Sequence, residues 1–427
     1  MRKLVKLKNG AILLYQHNNQ SKATAYRIGI FRGGSLDNNT GISHLFEHMM
    51  FKGCVRYNID ELNEIIKSNF VNLNAATGSD FMYITSYESH KKIKKALDLS
   101  AQLLIRSIFP EKELEKEKEV IKQEIIRAND NLYRSAYSNI MENAYNYPEI
   151  KSRTLGSVEK MMKLTSKDLF DYKKQNIIRE NFFASVCSNL PCFVIKRYIN
   201  KFFINRISSG NKVDFSSNDL TINGKSKLVV EECARNKTLI YFAIPCYGFE
   251  DLQKSYLLNC IKIYLNTFKG PIFNKFREQN QLSYFVDIKR YTYKHDGLLC
   301  FQIETSADKV NDCLKAVVDL IKETRMNGIT ENEAKRLVER REEADDRFVG
   351  HPMDYCGDMM FEYLDNRRFI KSRVYKKFKK HINANELNKV INDVFNVDTN
   401  KIFITVVGNV DKKKVLSLNK IKKMFES

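Results

Sequence analysis

Fourteen residues, Thr40–Gly53 (TGISHLFEHMMFKG), constrain this chain more than any other stretch. They contain His44-Leu45-Phe46-Glu47-His48, an H-x-x-E-H pattern. At about 100° per residue on a helix, Ile42, Leu45, Phe46 and Met49 share one arc, and His44, Glu47 and His48 share the opposite one. The first arc is an apolar stripe for packing. The second sets two imidazoles four residues apart, close enough to reach one metal ion. Glu47 lies between them, placed to hold a metal-bound water rather than the metal itself. Two histidines on the wet face of an amphipathic helix is the plainer alternative. It accounts less well for a His-Glu-His triplet standing opposite a clean apolar stripe.

A metal held this way needs a third protein ligand and an open position. Glu111–Asp130 (EKELEKEKEVIKQEIIRAND) supplies candidates. Pro110 and the acidic residues after it suit a helix start. With Glu117 at zero, Val120, Ile121, Glu124 and Ala128 all fall within about 60° of it, so Glu117 and Glu124 share the apolar face. Lys116, Glu119, Lys122 and Gln123 point away. A carboxylate on a buried face is costly unless it is paired or coordinated. A salt-bridged charge on a crowded helix is the other reading.

GISHLFEHMMFKG, followed by KEKEVIKQEI with Glu124 placed 76 residues past His48, resembles the pitrilysin–insulinase family of zinc peptidases, to which mitochondrial processing peptidase also belongs. H-x-x-E-H is the inverzincin motif, the reverse of H-E-x-x-H. The resemblance implies zinc on His44, His48 and Glu124, Glu47 as general base, and a supporting role for Glu117 behind the ligands. In NLNAAT, Asn74, Ala75 and Thr77 resemble the family's N-A-x-T edge strand, which implies pairing with the substrate backbone by strand addition. From the residues alone this stretch is an ordinary hairpin. Phe276–Val286 (FREQNQLSYFV) resembles the segment in which an Arg and a Tyr face the zinc site, here Arg277 and Tyr284. A cation and a phenol suit a developing oxyanion. Without the resemblance they read as a surface Arg and a half-buried Tyr.

The chain reads as α+β: two homologous domains, each a mostly antiparallel sheet with helices packed on one face. Residues 1–207 form a zinc-binding domain, 208–227 a linker rich in Ser, Asn, Gly and Lys, and 228–427 a related domain. Two echoes support a duplication. Phe268-Lys269-Gly270 repeats Phe51-Lys52-Gly53 at an offset of 217, and Asn409 repeats Asn189 at 220. At the first offset the motif falls on Ile261, Lys262, Ile263, Tyr264 and Leu265, so one zinc per chain is expected.

At 427 residues the chain is long enough for two domains. It has no run of 18 apolar residues, hence no expected membrane span, and no secretory signal pattern at its start. Nine cysteines without a C-x-x-C pair read as small buried hydrophobes in a reducing compartment, which suggests a cytoplasmic protein. The formal charge of +20 invites a nucleic-acid reading. The lysines are dispersed and no nucleic-acid module is recognisable, so none is expected to bind. The expected function is a zinc-dependent endopeptidase acting on unfolded peptides or extended segments. The family's chamber of four such domains implies a homodimer, or a heterodimer with a related chain. The alternatives are a dedicated leader peptidase for a ribosomal peptide product and a non-catalytic partner subunit. The second usually lacks a ligand or the base, and all four residues stand here.

Overall fold

The alternating apolar runs assemble into two sheets in the computed structural model, which describes residues 2–70, 72–212, 217–234, 236–283, 285–347, 350–370 and 372–426. The first sheet is built from β1 (Arg2–Lys6), β2 (Ile12–His17), β3 (Ala23–Ile30), β4 (Asn74–Thr77), β5 (Met82–Ser89) and β6 (Phe182–Ser188), in the order β1-β2-β6-β3-β5-β4. Only β2 and β6 run parallel. β5 shows the period of two, with Met82, Ile84, Ser86 and Glu88 buried and the residues between them part-exposed. β6 is buried along its whole length, as a central strand covered on both faces should be.

Helices α1 (Ile42–Met49), α2 (Ile59–Asn69), α3 (Ile93–Arg106) and α4 (Glu111–Asn129) supply the layer over one face. Their apolar stripes join Tyr26, Ile28, Met82 and Ile84 of the sheet in one core. The opposite face receives the Pro352–Asn366 helix. Its Met359 and Met360 pack on Ile12, Leu14 and Phe183. The Ser185 hydroxyl donates to the Cys356 carbonyl at 2.8 Å. The Arg27 guanidinium fills the space over Gly357, where a Cβ would meet Nη1 at 2.8 Å.

The second sheet contains β7 (Lys227–Glu232), β8 (Thr238–Tyr247), β9 (Phe285–Thr292), β10 (Asp296–Thr305) and β11 (Phe403–Gly408), in the order β7-β11-β8-β10-β9. β7 and β11 form its one parallel pair. This order repeats β2-β6-β3-β5-β4, pair for pair and direction for direction, as two copies of one plan should. Here too a helix from the other half of the sequence covers one face. Helix α5 (Leu132–Ala144) packs Ala136, Ile140 and Ala144 against Tyr241, Ala243, Phe403 and Val407. The Tyr145 hydroxyl, just beyond it, donates to Asp296 Oδ1 at 2.9 Å.

The chain therefore divides into two compact units that exchange segments. The first comprises Met1–Arg127, Lys151–Ser217 and Val349–Ile370; the second comprises Ala128–Ile150, Asn218–Phe348 and Lys371–Ser427. All nine cysteines are free thiols, seven of them buried. Among the described residues no helix is long and apolar enough to cross a membrane.

Candidate metal centre

Helix α1 has no side-chain cap of its own, because its N-cap is Gly41 in the left-handed region at φ 72°. Asp37, four residues upstream, takes over that task. Its Oδ2 accepts from the Ser43 amide at 2.9 Å and its Oδ1 accepts from the Ser43 hydroxyl at 2.8 Å. Arg32 pairs with the same carboxylate at 3.0 Å. Leu45, Phe46 and Met49 are fully buried, and Phe46 lies against the rings of Phe109 and Tyr172. Each such side chain contributes roughly 1.5–3 kcal/mol on burial. Ile42 packs at the edge of the same core. The opposite face of α1 is thereby fixed toward solvent, carrying His44, Glu47 and His48.

Helix α4 brings in the carboxylates. It buries Leu114, Glu117, Lys118, Ile121 and Ile125. Glu124 stands at the rim of this face, its side chain 41 % exposed, with Oε2 at 3.8 Å from His44 Nε2 and 3.8 Å from His48 Nε2. The three donor atoms all lie within 4.8 Å of one another, and no other group of three or more His, Cys, Asp or Glu side chains among the described residues is so placed. In a tetrahedral zinc centre with bonds of about 2.0–2.2 Å, ligand atoms lie about 3.4 Å apart. Two imidazole nitrogens and one carboxylate oxygen, close to that spacing, fit zinc and leave a position open.

Glu117 sits behind the ligands. Its Oε2 is 2.9 Å from His48 Nδ1, and its Oε1 is 2.6 Å from Lys52 Nζ. Burial pushes the Glu117 carboxyl up, but the hydrogen bonds from His48 and Lys52 outweigh it and leave its pKa lowered. A carboxylate only accepts, so His48 donates from Nδ1 and leaves Nε2 as the nitrogen that would hold a metal. Burial works against the charged form of His48, yet the bond to Glu117 and the charges of Glu124 and Glu47 raise its pKa. Lys52, four residues beyond His48, joins this cluster through Glu117, and motif reading alone passes over it. Its signal was that same i, i+4 spacing.

Glu47 is not one of the three ligands. Its Oε2 accepts from the Thr77 hydroxyl at 2.5 Å. Burial raises the Glu47 carboxyl above the usual range, while the bonds to Thr77 and the charge of His48 pull it back. Thr77 belongs to β4, which pairs only with β5 and so forms the edge of its sheet beside α1. Ala75 is buried against the core, and Asn74 is exposed with its Oδ1 turned back to the Ala75 amide. The expected edge strand is thus present, and among the described residues no strand pairs with its outer side, where the Ala75 amide is met by the Asn74 side chain.

Arg277 lies in the second unit, in the helical turn Asn274–Gln279, with its guanidinium 5.2 Å from the Phe273 ring centroid. It lines an open groove of about 720 Å³ with Glu278, Ser283 and Phe285. Tyr284 lies outside the described residues.

The family described as "Insulinase (Peptidase family M16)" matches residues 13–157, and "Peptidase M16 inactive domain" matches residues 163–341. An uncharacterized zinc protease of Rickettsia bellii is 24 % identical over 405 residues, covering 93 % of this chain and 94 % of its own. One from Rickettsia felis is 26 % identical over 309 residues, 71 % of this chain and 74 % of its own. Mitochondrial-processing peptidase subunit beta of Neurospora crassa is 23 % identical over 228 residues, 51 % of this chain and 48 % of its own. The crystal structure of a peptidase M16 inactive domain from Pseudomonas fluorescens superposes with a TM-score of 0.82 at 16 % identity, covering 98 % of this chain and 100 % of that one. At that identity the likeness shows the fold alone.

Proposed function

From the premise that this chain belongs to the insulinase family, peptidase family M16, we propose that it is a zinc-dependent endopeptidase acting on unfolded peptides or extended segments. The observation that carries this reading is the juxtaposition of two helices: α1 offers two imidazoles and a separate carboxylate, and α4 completes the ligand set. The zinc proteases among the relatives support it.

His44, His48 and Glu124 would hold the metal. Bound there, zinc supplies the Lewis acidity that makes water a nucleophile near neutral pH. Glu47 takes the proton from the attacking water at its free oxygen, Oε1, and returns it to the leaving amine. Glu117 and Lys52 keep His48 in one tautomer and orientation. The open edge of β4, at Asn74, Ala75 and Thr77, receives an extended peptide through backbone hydrogen bonds, which favours unfolded substrates.

In this proposal Arg277 and Tyr284 stabilise the oxyanion, the role the family resemblance implies for them. A homodimer or a heterodimer with a related chain follows, in keeping with relatives named as subunits. Tyr284→Phe should then lower kcat by roughly 10–1,000-fold with zinc retained. Full activity in that variant would confine the second unit to a scaffold.

The deciding experiment is mass spectrometry of a peptide library incubated with the purified protein, with and without a chelator. We expect about one zinc per chain and chelator-sensitive cleavage. Glu47→Gln should keep the zinc and lose nearly all turnover. Turnover equal to the parent's would remove Glu47 as the base.

A further inference from the structure

The side chain of Thr77 is committed to the base. Its hydroxyl donates to Glu47 Oε2 at 2.5 Å, across from β4 to α1. Thr77 shares a strand face with Ala75, which is buried in the core, so the pleat aims both side chains at the helical layer. Its backbone is pinned by the register Thr77↔Met82, and its branched Cβ leaves χ1 few options. A hydroxyl has one proton to donate, and here it is spent.

Glu47 needs such a restraint. A glutamate side chain carries up to about 1.5–2 kcal/mol of rotamer entropy when free. Its two neighbours in the motif that bind metal are fixed by other means, His48 from α4 through Glu117. Glu47 has no metal bond to hold it. With Oε2 occupied by Thr77, Oε1 is left to face the attacking water.

We propose that Thr77 is a positioning residue, which sets the orientation of the Glu47 carboxylate and so links the base mechanically to the strand that receives the peptide. The proposal rests on the peptidase reading above, and it departs from the expectation that Thr77 serves substrate binding. Only its side chain leaves that role: Gly78 N bonds to the Phe81 carbonyl at 2.8 Å, so with alternation along the pair the Ala75 and Thr77 backbones face the open edge. A peptide added to the edge of β4 is then registered against the same element that aims the base. Bond and base share one reference frame, which is the geometric condition for a near-attack arrangement.

The test compares Thr77→Val and Thr77→Ser in the full-length zinc-loaded protein, on a fluorogenic peptide it cleaves. Val keeps the shape and removes the donor; Ser keeps the donor. We expect Val to lower kcat by about 10–100-fold, the scale of a misplacement of about 1 Å, with KM, zinc content and Tm near those of the parent. Ser should recover most of kcat. In crystals of the metal-free Val variant the Glu47 carboxylate should leave its place beside residue 77. A Val variant with the parent's kcat overturns the proposal, as does one that changes KM alone, or a Ser variant as slow as Val. If the parent cleaves no peptide with zinc bound, the peptidase reading falls instead. The position of Glu47 in the crystals then still decides whether Thr77 orients it.

Discussion

His48 is held from two directions. Nε2 is the atom that would hold the proposed zinc, and Glu117, itself braced by Lys52 at 2.6 Å, meets Nδ1. Removing the brace should let Glu117 turn and free the ring. Lys52→Met, which keeps the stem and loses the charge, should weaken zinc binding by roughly 10–100-fold. Lys52→Arg should lose less. Competition with a chromophoric chelator measures this directly, and an unchanged affinity in the Met variant would reduce Lys52 to a surface charge. Glu117→Gln should fall in the same range. Residue-scale legibility was uneven for a physical reason. His44, Glu47 and His48 announce themselves because a helix brings local spacings together. Glu117 follows because a carboxylate on a packed face demands an explanation, whereas Glu124, at the exposed rim, was singled out by the family spacing. The partner of Thr77 was out of reach, because which side chain a strand residue meets across 30 positions of chain is written in tertiary contacts, not in local pattern.

At the scale of elements, the entry to α1 is a backbone-to-backbone contact. Gly41 and Gly156 both have φ of 72°, and a Cβ on Gly41 would come 2.5 Å from the Leu155 carbonyl oxygen. Gly41→Ala should therefore cost at least about 1–2 kcal/mol from the left-handed conformation alone, with the clash added. It should also weaken zinc binding, since α1 carries both imidazoles. Chemical denaturation and a zinc titration on the same variant test both halves of that statement. Helix α4 shows how a sequence-level face can be right in kind and off in angle. Placing its centre at Glu117 also put Val120 on the packed side, yet Val120 is 46 % exposed. The buried arc runs from Glu117 through Ile121 and Leu114 to Lys118, so at about 100° per residue Glu117 is its edge. Glu124 then falls just outside, at the solvent rim, where a ligand to an open metal site belongs. Strands were more legible than helix contacts, since the alternation of β5 marks its buried face within eight residues.

The whole molecule rests on the exchange of helices between the two halves of the sequence. Neither α5 nor the Pro352–Asn366 helix reveals its destination in its own residues. Periodic apolar positions such as Cys356, Met359 and Met360 predict a buried face, not the sheet that buries it. A fragment of residues 1–207 lacks the cover over Ile12, Leu14 and Phe183. We expect it to aggregate and to bind a hydrophobic dye, and to gain a cooperative transition when residues 208–427 are supplied in trans. A monomeric, cooperatively folding 1–207 fragment would contradict this. The exchange also has a consequence for the birth of the chain. All three residues proposed to hold the metal have been synthesised by residue 124, but the cover for their sheet ends at Asn366, 242 residues later. At the usual pace of translation that interval lasts roughly 10–50 s. Throughout it the apolar face at Ile12, Leu14 and Phe183 awaits the helix that covers it, so the sheet beneath α1 is completed only after most of the chain has emerged.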